Sequence, residues 1–304
     1  MMRTGEATAR CPGSCGELVE GALDGRDFLI TCPINLYSYA NVKILYNDDQ
    51  IICSPGHEKT LNAVKKLFDY TGVKGVGACI SINSQIPSGL GMASSTADIT
   101  AACIAASVAL GEQLTPDEIA DIALSVEPSD GIMYKGIVYI DFIKGTIKEY
   151  IGMPPSMDII IIDLGGKVET VNFYKNKIEL EKANNKKEPF IREAVSLVKE
   201  GLYLQDASLI GKGAVISACA NQELLYKPEL EEIIRTAKEL GAVGVNTAHS
   251  GTVVGIMFSE GLTNTAHIEN VIRSRVKNLK RCFTAKITGE GPQVMREGCY
   301  YAFS

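Results

Sequence analysis

The stretch that most restricts how this chain can fold runs from Pro87 to Gly111. A loop of small residues, Pro87-Ser88-Gly89-Leu90-Gly91-Met92-Ala93-Ser94-Ser95, leads straight into an alanine-rich segment. Upstream, Gly77-Ala78-Cys79-Ile80-Ser81-Ile82-Asn83 alternates as a β-strand does. The pattern predicts strand, loop, then a helix over about Thr96 to Gly111. Ala97, Ala101, Ala102, Ala105 and Ala106 let that helix pack closely on a sheet. Gly89 and Gly91 allow the backbone to approach a ligand. The first N–H groups of the helix favour an anion. The same residues also suit an ordinary capped helix with a flexible approach, and loop chemistry alone leaves both readings open. A Walker-type G-x-x-x-x-G-K-[ST] is absent, as is a G-x-G-x-x-G following a strand.

Around this unit the chain reads as mixed α+β, and its 304 residues exceed the usual size of a single core. Asp27 to Thr31 and Tyr39 to Leu45 read as strands, and Lys59 to Tyr70 as a helix with Leu61, Val64, Leu67 and Phe68 on one face. Thr115-Pro116-Asp117-Glu118 is a helix start with Thr as N-cap, Pro at N1 and Glu in capping-box position. A hairpin is expected over Gly136–Phe142 and Lys144–Tyr150, turning at 143–145. Pro154-Pro155 then punctuates the chain before a buried strand, Asp158 to Asp163. Two lobes are expected, 1–153 and 154–304. The second carries helices near 188–201, 206–223, 228–240 and 263–279, with a Gly-rich strand turn at 241–258.

Charge narrows the partners. Thirty Lys and Arg face 36 Asp and Glu, a net charge of −6. The densest basic stretch, Lys175 to Lys187, is interleaved with acids. A nucleic-acid partner is not expected. Nine scattered cysteines without C-x-x-C spacing, and only three histidines, argue against a zinc site and for a reducing compartment. No signal-peptide core opens the sequence, and the longest apolar run, 99–110, is too short for a bilayer. The expectation is a cytoplasmic protein without a membrane partner.

Three segments carry a family resemblance, in order along the chain. Ala9-Arg10-Cys11-Pro12-Gly13-Ser14-Cys15-Gly16-Glu17-Leu18 resembles an N-terminal Pro-Gly motif. Pro87 to Ala97 resembles the phosphate loop P-x-x-x-G-L-G-S-S-A. Gly244 to Val254 resembles a C-terminal Ser-Gly-rich loop. Together they are similar to the GHMP kinases, the family of galactokinase, homoserine kinase and mevalonate kinase. The resemblance implies a two-lobed α+β architecture with a ribosomal S5 domain 2-like N-terminal lobe and a ferredoxin-like C-terminal lobe. It also implies ATP and Mg²⁺ as cofactors.

The branch most resembled acts on L-threonine. Its carriers are residues 11–18, Cys32-Pro33-Ile34-Asn35, residues 91–98, Glu127-Pro128-Ser129-Asp130-Gly131 and Ala248-His249-Ser250-Gly251-Thr252. That resemblance implies phosphorylation of the threonine hydroxyl to O-phospho-L-threonine, for the aminopropanol linker of cobalamin. Homoserine or another small hydroxy amino acid is the alternative acceptor, and a non-catalytic nucleotide or metabolite sensor the alternative role. A monomer or homodimer is expected. Ala93 departs from the pattern by replacing a family glycine, and Ser14 stands where a basic residue is often found.

Site roles follow from the resemblance and from what phosphoryl transfer requires. Pro87, Ser88, Gly89, Leu90, Gly91, Met92, Ala93, Ser94, Ser95 and Thr96 are expected to hold the nucleotide. Ser95 and Glu127 are the candidates for the metal, and Ser95 and Asp130 for catalysis, with Asp130 near the attacking hydroxyl as base or orienting acceptor. Glu17, Ser14, Asn35, Asp130, Ser250, Gly251 and Thr252 are expected at the acceptor substrate, Glu17 on its ammonium. The plainer alternatives are helix capping for Ser95, solvated turn carboxylates for Glu127 and Asp130, and a loop spacer for His249.

Overall fold

In the computed structural model, which describes residues 5–46, 48–166 and 177–303, one long hairpin organises everything else. Strands β1 (Glu6–Leu23) and β2 (Arg26–Leu45) pair along their whole length, from Glu6 opposite Lys43 to Leu23 opposite Arg26. Pro12, Gly13 and Gly16 read as chain breakers in sequence, yet they lie inside β1. Register shifts at Pro12/Gly13, Ser14/Glu17 and Glu17/Val19 mark the irregularities that accommodate them. Glu17 is therefore a strand residue.

β2 extends the sheet to β4 (Gly77–Ser84), and the short β3 (Ile51–Cys53) runs parallel to β4 at the edge. Three helices belong to this half: α1 (Glu58–Thr71), α2 (Ser94–Leu110) and α3 (Pro116–Leu124). α2 touches β1, β2 and β4 as well as α1 and α3, and nearly all of its residues are buried. Only a helix of small side chains can be enclosed on every side at such short range.

The expected hairpin forms as β5 (Ile137–Ile140) and β6 (Lys148–Gly152), with shorter strands and a wider turn than predicted. Asp141 sets that turn, accepting from the amides of Ile143 at 3.1 Å and Lys144 at 2.9 Å and from the Thr146 hydroxyl at 2.6 Å. A side chain that caps its own turn ends strand pairing there.

Four antiparallel strands build the other half: β7 (Met157–Asp163), β8 (Gly244–Thr247), β9 (Val253–Ser259) and β10 (Arg281–Ile287). They lie in the order β10-β7-β9-β8, which is the ferredoxin-like arrangement. The helices of this half are α4 (Lys177–Leu204), α5 (Ala207–Ala220), α6 (Leu230–Glu239) and α7 (Thr265–Arg275). α4 begins earlier than the sequence suggests and continues through Pro189. That proline is exposed, so water can take the carbonyl its missing N–H leaves free. β7 is buried on both faces, with Ile159 and Ile161 in the core around α2 and Ile160 and Ile162 in a second core under α6 and α7. Full burial of each such side chain contributes about 1.5–3 kcal/mol.

The hairpin joins the two halves into one sheet. β8 meets β1 at Glu17 opposite Thr247, and β10 meets β2 at Ile34 opposite Ile287. β11 (Gln293–Arg296) pairs with β1 at Ala9 and Arg10, and β12 (Cys299–Ala302) closes that edge. Among the described residues no helix is long and apolar enough to cross a membrane.

Candidate active site

Three glycine-bearing segments meet at the N-terminus of α2. The loop before the helix turns through left-handed conformations at Gly89, Gly91 and Ala93, with φ of +77°, +78° and +56°. It is held from two sides by backbone hydrogen bonds. The Ser14 amide on β1 donates to the Met92 carbonyl at 3.0 Å, and the Thr252 amide donates to the Leu90 carbonyl at 3.0 Å. Contact is so close that a Cβ on Gly91 would lie 2.7 Å from the Gly251 Cα, and one on Gly251 would overlap the Leu90 carbonyl. The Pro-Gly, phosphate-loop and Ser-Gly motifs, far apart in sequence, thus form one backbone surface.

Ala93 precedes α2 and has no side chain with which to cap it. The first-turn N–H groups therefore face the loop without a capping oxygen from that position, an arrangement favourable to an anion. This geometry disfavours the ordinary capped-helix reading. In the left-handed region an alanine costs roughly 1–2 kcal/mol.

The first turn of α2 also gathers the expected side chains. The Ser95 hydroxyl donates to Glu127, whose other carboxylate oxygen is paired with the Lys59 ammonium. The Thr96 hydroxyl reaches Asp130 at 3.4 Å. Glu127 and Asp130 follow α3, and their connection is pinned by the Ser129 amide on the Phe142 carbonyl at 3.0 Å and the Gly131 amide on the Thr31 hydroxyl at 3.1 Å. They are anchored carboxylates rather than free turn residues. Burial pushes Asp130 up to about 6 and the charge of Glu127 adds to this, while the Thr96 hydroxyl works against it. A carboxyl so placed changes protonation near neutral pH.

Behind the loop sits a second, buried group. Glu17 accepts the His249 amide at 2.6 Å and so fixes the Ser-Gly loop to β1. Burial raises its carboxyl well above the usual range, reinforced by Glu20 and Asp130. The Lys227 ammonium, nearly fully buried, donates to the Gly251 carbonyl at 2.5 Å. The Thr252 hydroxyl donates to Asp163 at 2.6 Å. His249 packs edge-on to Phe142 with ring centroids 5.2 Å apart, and burial together with Lys227 and Lys187 lowers its imidazole to about 4. It is neutral at physiological pH.

Ser14 is fully buried beside the loop, and its hydroxyl has no hydrogen-bond partner among the described residues. Pro87 and Ser94 are half-buried, while Ser88 and Ser250 are exposed at the rim. Asn35 is exposed and spends its side-chain oxygen on the Lys286 amide at 2.8 Å, tying β2 to β10; among the described residues no hydrogen bond joins it to the loop cluster. Lys227, Lys187 and Glu20 are the residues that motif reading overlooks. Their neighbours come from remote strands and helices, so no local pattern marks them.

The donor set suits Mg²⁺. One carboxylate, Glu127, and one hydroxyl, Ser95, are hard oxygen donors beside a helix end favourable to an anion, and Mg²⁺ takes few protein ligands when phosphates supply the rest. Accordingly, no cluster of three or more His, Cys, Asp or Glu side chains able to hold a metal occurs among the described residues.

Known proteins resemble this chain in sequence and in fold. Residues 58–135 match the GHMP kinases N terminal domain and residues 194–280 the GHMP kinases C terminal region, together more than half the chain. The chain is 29% identical over 263 residues to L-threonine kinase of Citrobacter freundii, covering 86% of this chain and 90% of that protein. It is 28% identical over 273 residues to L-threonine kinase of Salmonella typhimurium, covering 88% of each. Its fold is similar to a homoserine kinase structure from Cytophaga hutchinsonii, with a TM-score of 0.73 at 15% identity over 97% of this chain and 99% of the other. Sequence matches to both halves, the ferredoxin-like strand order and the loop seated at the N-terminus of α2 agree: the chain belongs to the GHMP kinases.

Proposed function

We propose that this kinase transfers the γ-phosphoryl group of ATP to the side-chain hydroxyl of L-threonine, giving ADP and O-phospho-L-threonine. The product would serve as precursor of the aminopropanol linker in cobalamin biosynthesis. The observation that carries the catalytic part is the first turn of α2, where an open helix end, the Ser95–Glu127 pair and the Thr96–Asp130 contact lie side by side. Similarity to L-threonine kinases over most of the chain supports the acceptor.

The triphosphate lies against the loop and helix start at residues 87–96, on the N–H groups that follow Pro87, with Gly251 and Thr252 backing the loop. Mg²⁺, when bound, supplies charge neutralisation on the transferring phosphoryl group, and Ser95 and Glu127 are the residues that would hold it. Asp130 accepts the proton of the threonine hydroxyl as its oxygen forms the new bond to the γ-phosphorus. The bond from that phosphorus to the β-γ bridging oxygen breaks, and ADP leaves. Lobes at 1–153 and 154–304, meeting along the β1–β2 hairpin, are part of the same proposal, as is a soluble cytoplasmic monomer or homodimer.

Incubation with ATP, Mg²⁺ and a panel of L-threonine, L-serine, L-homoserine and mevalonate tests the reading, with the phosphorylated product identified by mass spectrometry. O-Phospho-L-threonine is the expected main product. Preference for homoserine overturns the acceptor, and no transfer to any of the four overturns the kinase reading itself.

A further inference from the structure

Beside the Ser-Gly loop lies a small cleft, about 40 Å³, whose polar lining includes Glu20, Asp27, Lys187 and His249. Glu20 is only 3% exposed, yet neither carboxylate oxygen has a hydrogen-bond partner among the described residues. Its backbone is fixed: the amide donates to the Ser217 hydroxyl at 3.1 Å, and the carbonyl accepts from the Asn221 carboxamide at 3.0 Å. The side chain is thus held where no hydrogen bond from the described residues satisfies it, although the charges of Lys187 and Lys227 act on it. A buried, unpartnered carboxylate is costly unless a ligand completes it.

Opposite charge stands close by. Lys187, 8% exposed, donates to Asn221 Oδ1 at 2.6 Å, which uses one of its three protons and leaves two. Asp27 is half-buried in the same wall. Two carboxylates and one ammonium disfavour a ligand that carries only a carboxylate. A ligand with only an ammonium would leave Lys187 unanswered. A zwitterion answers both. Phe142, Leu224 and Leu225 supply apolar wall for a short aliphatic side chain.

Resting on the kinase reading above, we infer that this cleft is the seat of a zwitterionic α-amino acid, with Glu20 on the ammonium and Lys187 on the carboxylate. Glu17 then acts at one remove, by holding His249 and its loop. The cleft makes the ammonium a requirement, which separates hydroxy amino acids from hydroxy acids.

Calorimetric titration without nucleotide tests the cleft independently of turnover. The probes are L-threonine, L-valine as its hydroxyl-free isostere, 3-hydroxybutyrate lacking the ammonium, and 1-amino-2-propanol lacking the carboxylate. L-Threonine and L-valine are expected to bind, and 3-hydroxybutyrate to bind at least tenfold more weakly than L-threonine. Glu20→Gln is expected to weaken both amino acids at least tenfold. Lys187→Met is expected to weaken L-threonine at least tenfold and to leave 1-amino-2-propanol within twofold, which keeps the test open should Glu20→Gln fail to fold. Binding of L-threonine unchanged within twofold in a folded Glu20→Gln, or no binding to the wild type, overturns the inference. Wild-type turnover on threonine by Glu20→Gln overturns the cleft and leaves the kinase. Binding that depends on Glu20, without phosphoryl transfer in the wild type, sustains the cleft and overturns the kinase.

Discussion

Helices α2 and α3 begin in opposite ways. At α3 the Thr115 hydroxyl accepts the Glu118 amide at 3.3 Å, while the Glu118 carboxylate accepts the Thr115 amide at 2.7 Å. That end is closed by its own residues. At α2 the corresponding position is Ala93, in a left-handed conformation and without a capping group, and the hydroxyls that follow it turn to Glu127 and Asp130 instead. One helix end satisfies itself for stability. The other keeps its donors open and stores strain where a ligand is proposed to bind.

The contrast breaks most visibly at the carboxylates beside α2. Asp130→Asn is expected to lower kcat by about 10²–10⁴-fold with little change in KM for ATP, measured by a coupled ADP assay. Near-normal turnover would remove the general-base role. Glu127→Gln is expected to raise the Mg²⁺ concentration for half-maximal activity by roughly 10- to 100-fold, in line with about 1.5–3 kcal/mol for a lost charged contact. Titration of Mg²⁺ at fixed ATP reads this directly.

Protonation sharpens the same comparison. With Asp130 raised to about 6, kcat/KM is expected to fall about tenfold per pH unit below 6 and to level off above it. The sign for stability is the reverse. A carboxyl whose folded value exceeds its ordinary 3.8 favours folding below that pH, and this support is lost as pH rises through 6. Asp130→Asn is therefore expected to raise the melting temperature relative to wild type at pH 7 but not at pH 3.5.

The smallest effects lie at the two caps. Thr115→Ala is expected to cost about 1 kcal/mol in urea unfolding and to leave kcat and KM unchanged. Ala93→Gly is expected to gain a few tenths of a kcal/mol, since relief of left-handed strain slightly exceeds the added freedom of the unfolded chain. Loss of stability in Ala93→Gly would mean that the strain inferred from φ is not there.

How much of this could be read beforehand depends on where each residue finds its partners. The loop and α2 were legible because small residues crowd into a few positions and only a tightly packed strand–loop–helix accommodates them. The capping box at Thr115 was legible because its geometry is local. β1 was not, since Pro12, Gly13 and Gly16 are breakers by propensity, and only a partner strand with matching irregularities keeps them extended. Ser95, Glu127 and Asp130 were named from motifs, but nothing near them in sequence reveals that Lys59 pairs with Glu127. Glu20, Lys187 and Lys227 left no trace in the sequence. A charged residue is marked as buried only by neighbours brought from elsewhere, here Ser217, Asn221 and Gly251. Asn35 shows the converse, because a residue standing inside a motif is used as a clamp between two strands.

The hairpin that carries both halves has a kinetic consequence. Ala9 finds its strand partner at Val294, and Glu17 at Thr247, so the sheet cannot be completed until segments separated by most of the sequence have come together. Until then β1 presents unpaired backbone along part of its length, and such an edge invites pairing with other chains. The dependence on non-local pairing also predicts slow folding for a chain of this size. Cutting the chain at Pro154-Pro155 would make that vulnerability permanent, because the N-terminal fragment would keep the hairpin and lose the strands that cover it. The phosphate loop would go with it, since one of its two backbone clamps, Thr252, lies on the other fragment.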